Sequence, residues 1–161
     1  MDKRRAVHRF QKYVANPPLK ALLRAGVMPP SVVLLETVGR RSGKPRRTPV
    51  GDGVVGDTLW IVAEHGRRAG YVRNVEANPR VRVRVREGLR ARWRTGTAHV
   101  MPADDPLARQ RWIAKRRPSY RINAPAVRAM GTQLLTVRVD LHPYRFSPRR
   151  SGPRRHRSRR A

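Results

Sequence analysis

Between Gly39 and Val50 the chain reads Gly-Arg-Arg-Ser-Gly-Lys-Pro-Arg-Arg-Thr-Pro-Val, and these are the residues best suited to hold a ligand. Gly39 and Gly43 let a backbone turn tightly and bring amides close to an anion. Arg40, Arg41, Lys44, Arg46 and Arg47 supply charge, and Ser42 and Thr48 supply hydroxyls. Such a set suits phosphate or carboxylate oxygens, although on composition alone a solvated basic turn fits it equally well. The Gly-Lys-Ser/Thr ending of a P-loop is absent. Elsewhere, His8, His65, His99, His142 and His156 show no metal-ligand spacing, and there is no cysteine, so no metal site is expected. The missing cysteines also exclude disulfide scaffolds, iron–sulfur clusters and thiol nucleophiles. Asp104-Asp105 reads as a helix cap rather than an acid–base pair.

Strands and helices must position the basic segment. Val32-Val33-Leu34-Leu35 predicts a buried strand leading into it, and Leu59-Trp60-Ile61-Val62-Ala63 a second, after a turn at Val55-Gly56-Asp57-Thr58. The two are expected to frame a hairpin-like unit with the basic loop at its mouth. Residues 69–77 have helical spacing and stop at Asn78-Pro79. Val81 to Arg86 alternates strictly, turns at Glu87-Gly88 and is answered by Arg90-Ala91-Arg92-Trp93-Arg94. This predicts a hairpin burying Val81, Val83, Val85 and Trp93 on one face, with six arginines on the other. Asp104-Asp105-Pro106 starts a helix that runs to about Lys115, and Leu134 to Val139 is a last strand.

The 161 residues suit one domain, expected over 31–146, with a basic helical arm over 1–30 and a disordered basic tail over 147–161. The 38 Lys and Arg against 10 Asp and Glu give a net charge of +28, and 33 of those cations are arginine. That balance attracts phosphates, nucleic acid and anionic membrane surfaces, without choosing among them. The arginine ladder reads as a solvated face that blunts edge pairing in preference to a nucleic-acid stripe. Only nine Phe, Trp and Tyr occur, few for a single-strand platform. No apolar run approaches ~18 residues and no signal-peptide core follows the N-terminus, so a cytoplasmic protein is expected.

Three segments in order carry a resemblance: Thr37 to Val50, Trp60-Ile61-Val62-Ala63-Glu64-His65-Gly66, and Tyr71-Val72-Arg73-Asn74-Val75-Glu76-Ala77-Asn78-Pro79-Arg80-Val81. Together they resemble the deazaflavin-dependent nitroreductase family, whose members are also described as quinone reductases using reduced 8-hydroxy-5-deazaflavin, coenzyme F-420. The similarity spans about positions 30 to 145. It implies a β-rich α+β fold, a split β-barrel of the flavin-reductase (FMN-binding) type with flanking helices. The deazaflavin would lie in a groove with its phosphate and polyglutamate tail toward solvent. The family's phosphate motif falls on Gly39, Arg40, Arg41, Ser42 and Gly43, and its continuation on Arg46, Pro49 and Val50, with Arg47 and Thr48 of the basic cradle beside them. Val62, Ala63, Glu64 and His65 would lie against the ring, and Gly70, Tyr71 and Asn74 would close the site. The Tyr120 hydroxyl and His65 are the expected groups to orient the ring and supply a proton.

The chain also departs from the family. It has Glu64-His65 where Ser-Lys is frequent, Gly51 where an aromatic follows Pro-Leu, and Tyr71-Val72 in place of Trp-Tyr; of the pocket tyrosines only Tyr120 remains. The resemblance therefore implies coenzyme binding and a quinone-like or other electron-poor acceptor, without extending to nitro-drug activation. Two other readings stand beside it. One is a non-catalytic basic barrel on nucleic acid or an anionic membrane, where a reductase could also dock peripherally. The other is a pocket for FMN, haem or a fatty acid. Either a monomer or a homodimer is compatible with the sequence.

Overall fold

The computed structural model describes residues 25, 27, 29–122 and 133–144; the tail expected over 147–161, and all but the end of the arm expected over 1–30, lie outside them. Seven strands form one sheet: β1 Val32–Val38, β2 Pro45–Gly51, β3 Val54–Val55, β4 Thr58–Ala63, β5 Arg80–Glu87, β6 Arg90–Met101 and β7 Leu135–Leu141. Helix α1 is Gly70–Ala77 and helix α2 is Pro106–Arg116, with short 3-10 turns at Gly66–Arg68 and Pro118–Ile122. The strand order is β2-β1-β5-β6-β7-β4-β3, every neighbouring pair antiparallel. The sheet curls until β2 approaches β4, giving the expected split barrel.

Alternation sends Val33 and Leu35 of β1, Leu59 and Ile61 of β4, Val81, Val83 and Val85 of β5 and Val137 and Val139 of β7 into the barrel, where Val72 and Val75 of α1 join them. On the other face of β4, Trp60 and Val62 pack with Trp112, Ile113 and Tyr120. Helix α2 is fastened there by its start. Asp105 caps it, Oδ1 accepting from the amides of Leu107 at 2.9 Å and Ala108 at 3.1 Å, with Pro106 in the first turn. Asp104 takes the Arg109 guanidinium bidentately at 2.8 and 3.0 Å, and that guanidinium lies 3.9 Å from the Trp60 ring centroid.

The Arg109 bond holds the Asp104 carboxyl below its usual range. A carboxyl lowered in the folded state adds stability above its unfolded pKa, and that stability is lost as pH falls through the folded value. The pair is partly exposed and screened by solvent, so Asp104→Asn is expected to cost about 0.5–1 kcal/mol at pH 7. In thermal melts across pH, its midpoint should converge on that of the wild type only below about pH 4.

Three readings of the sequence need correction. First, the strand at 59–63 does not pair with the strand at 32–35: β1 pairs with β2 and β5, and the basic loop is the turn between β1 and β2. The prolines and arginines of β2 disguise it as a loop, and they are tolerated because β2 is a sheet edge. Second, Trp93 does not share a face with Val81, Val83 and Val85. The β5–β6 turn holds two residues, Gly88 (φ +59°) and Leu89, so Glu87 pairs with Arg90 and odd positions of β5 oppose even positions of β6. Trp93 opposes Arg84 on the outer face, between the guanidinium groups of Arg47 at 5.2 Å and Arg82 at 4.9 Å. Third, the arginines divide. Arg82, Arg84 and Arg86 share the face of Trp93, whereas Arg94 takes the parity of Val83 and bonds Asp57 at 2.7 Å.

Gly51-Asp52-Gly53-Val54-Val55-Gly56 has the spacing of a dinucleotide fingerprint, yet it links β2 through β3 to β4 with no helix after it. It therefore presents no helix N-terminus to a pyrophosphate.

Candidate anion-binding groove

The β1–β2 turn is built from its own polar atoms. The Gly39 amide donates to the Lys44 carbonyl at 2.9 Å, the Gly43 amide to the Gly39 carbonyl at 2.7 Å, and the Lys44 amide to Ser42 Oγ at 3.3 Å. Gly43 sits at φ +66°, and a Cβ on Gly39 would stand 2.8 Å from Ser42 Oγ, so both glycines are needed for this shape. The turn and the first half of β2 form one wall of a groove of about 920 Å³, within the usual range for a cofactor site. Gly70, Tyr71 and Asn74 of α1 form the other wall. No side chain caps the first turn of α1, and its positive end opens here.

The groove brings together Arg40, Arg41, Ser42, Arg46, Arg47, Thr48, Gly70, Tyr71 and Asn74 from the sequence reading, and adds Lys44 and Pro45. Strand parity separates neighbours within this group. Arg46 pairs with Thr37 and Thr48 with Leu35, whereas Arg47 pairs with Glu36 on the opposite face. There Glu36, only 6% exposed, binds Arg47 at 2.8 Å and Arg82 at 3.0 Å. The Arg47 guanidinium is thus committed away from the groove. Among the described residues no carboxylate pairs with Arg40, Arg41, Lys44 or Arg46, while Arg47, Arg82, Arg94, Arg109, Arg117 and Arg138 all have one. The few acids in these ion pairs are thus matched with arginines other than Arg40, Arg41 and Arg46.

Pro49, Val50, Val62, Ala63, Glu64, His65 and Tyr120 do not border the groove. Pro49 opposes Leu34, Val50 and Ala63 belong to the barrel core, and Val62 lies beneath α2. His65 is exposed at the start of a 3-10 turn. Tyr120, 2% exposed, packs with Val62 and Ile113, and its ring fills the space that a side chain at Gly51 would need, 2.9 Å from an added Cβ. Gly51 thus leaves the room that the buried Tyr120 ring occupies.

Behind the groove three ionisable groups feel one another. Burial pushes the Tyr120 phenol up to about 12, with a bond to Gln110 acting against it and the Glu64 carboxylate adding to it. Burial, then Glu64 and Tyr120, hold the Tyr71 phenol well above its usual range. Burial also raises Glu64, and His65 offsets part of that. Both phenols are therefore protonated at neutral pH and can donate a hydrogen bond.

Comparisons with known proteins bear on the fold and the family. A conserved hypothetical protein from Mycobacterium tuberculosis superposes with a TM-score of 0.52 at 19% identity, covering 70% of this chain and 73% of that one. HutZ, described as a heme storage protein from Vibrio cholerae, superposes with a TM-score of 0.51 at 16% identity, covering 80% and 90%. At these identities the likeness is one of fold. No curated protein matches the chain. The family described as "F420H(2)-dependent quinone reductase" matches residues 4–142, and the chain belongs to that family.

Proposed function

We propose that the chain is a deazaflavin-dependent reductase that passes a hydride from reduced 8-hydroxy-5-deazaflavin to a quinone-like or other electron-poor acceptor. The observation that carries this reading is the convergence of Arg40, Arg41, Lys44 and Arg46, which have no carboxylate partner among the described residues, on a groove of cofactor size. That donor set fits a coenzyme bearing a phosphate and a carboxylate tail. Once bound, the deazaflavin supplies the hydride, and the chain supplies position and protons.

The four cations bind the phosphate end, and Gly70, which carries no side chain, lets the ligand approach the start of α1. Tyr71 is the phenol on the groove wall, and its raised pKa keeps the proton on its hydroxyl for a developing oxyanion. Tyr120 and Glu64 stand behind it and sustain that state; His65 sits outside at the surface.

Titration with the deazaflavin, followed through the fluorescence of Trp60, Trp93 and Trp112, tests the reading. Saturable one-to-one binding that persists at higher salt is expected. Binding that vanishes with salt would leave only a charged surface, and preferential uptake of FMN or haem would replace the coenzyme. Tyr71→Phe is expected to lower kcat with a soluble quinone by about 10- to 100-fold while the coenzyme Kd moves less than about threefold. Equal losses in both would make Tyr71 a binding residue.

A further inference from the structure

Thr37 is buried at 1% exposure near the end of β1 and does not border the groove. Its hydroxyl nevertheless accepts from Asn74 Nδ2 at 3.0 Å and lies 3.5 Å from the Arg46 carbonyl, to which it donates. Asn74 in turn presents Oδ1 to Arg40, 3.2 Å from the backbone nitrogen and 3.4 Å from Nη1. The direction of this chain of bonds is fixed by chemistry, because both Arg40 groups can only donate and must meet the amide oxygen. A carboxamide has two acceptor positions and two N–H donors, so Asn74 has one donor left for anything else. The end of β1 and the basic turn that follows it thus meet α1, more than 30 residues on, at one side chain.

We propose that Thr37 and Asn74 are positioning residues, a relay that fastens α1 to the basic turn and holds Arg40 ready for the anion. Affinity in the groove then depends on a hydroxyl that the ligand never touches. Without it, the Asn74 amide has an unpaired buried N–H, turns toward other partners and releases Arg40. A guanidinium already held in place loses less freedom on binding than one that must be ordered by the ligand. The identity of the ligand rests on the reductase reading, whereas the relay requires only an anion site. Inorganic pyrophosphate is therefore the second probe beside the coenzyme.

Thr37→Val keeps the shape and deletes the hydroxyl, and Thr37→Ser restores it. Thr37→Val is expected to weaken both pyrophosphate and coenzyme about tenfold, and Thr37→Ser less than about twofold. With coenzyme saturating, kcat should stay within about twofold, so the loss appears in KM. In an Arg40→Ala background the same Thr37→Val change should cost less than about threefold, because the group it positions is gone. A Thr37→Val protein that binds like wild type, a serine that does not rescue, or a full tenfold loss without Arg40 each overturns the relay. Should Thr37→Val fail to fold, Asn74→Leu decides: it should lose about tenfold in the wild-type background and less than about threefold without Arg40, and equal losses in both backgrounds overturn the relay. Wild-type binding of pyrophosphate but not coenzyme would overturn the reductase reading and leave the relay standing. Binding of neither would remove both.

Discussion

Alanine at Arg40, Arg41 and Arg46 together is expected to weaken deazaflavin binding by more than about 100-fold while leaving the fold intact. Each cation can make a charge-assisted hydrogen bond to an anionic ligand, worth about 1.5–3 kcal/mol, and the losses multiply. Little stability goes with them: Arg40 gives up a 3.4 Å side-chain bond to Asn74 while its backbone bond to the same oxygen stays, none of the three has a carboxylate partner among the described residues, and all belong to a chain with a net charge of +28. Removing three positive charges relieves self-repulsion, so the thermal midpoint should hold or rise. A control separates site from total charge. Alanine at Arg84, Arg86 and Arg92 removes the same charge from β5 and β6, outside the groove, and should shift affinity by less than about threefold at moderate salt. If the two triple variants weaken binding equally, the groove has no special claim on the ligand.

How much of this was legible in sequence divides along physical lines. Strict alternation at 81–86, the turn glycines and the Asp105-Pro106 start give the hairpin and α2, because those signals are local. Strand β2 was hidden because its prolines and arginines imitate a loop, and only its place at the sheet edge explains them. Trp93 went to the wrong face because parity across a hairpin is decided by the number of residues in the turn, not by either strand alone. The basic cradle was readable as composition, but the difference between Arg46 and Arg47 required register, and the burial of Tyr120 required knowing that Gly51 lies beneath its ring. Thr37 opens the first resembling segment, yet its residue type marks no role there. A threonine in a strand is ordinary, and its partner lies 37 residues away.

Gly53→Ala is expected to cost about 3–4 kcal/mol, a fall in the thermal midpoint of about 6–16 °C, the largest stability loss among single glycine changes in the described residues. The reason is contact with backbone rather than backbone angle. An added Cβ would stand 2.0 Å from the Trp60 carbonyl oxygen, and Trp60 cannot move aside, since its own amide donates to the Gly53 carbonyl at 3.0 Å. On either side the chain is pinned as well. The Asp52 amide donates to Ser31, and the buried Asp52 carboxylate holds the Val54 amide and the Arg117 guanidinium. To admit the methyl, β3 must leave β4 and disturb Trp60, on which Arg109 and α2 rest. Gly56, three residues on, is the matched comparison. It has φ +60° and open space around it, so Gly56→Ala should cost only about 1 kcal/mol. Thermal melts of the two variants distinguish close approach from conformational freedom. Equal, small losses would mean that the segment does not lie flush against Trp60.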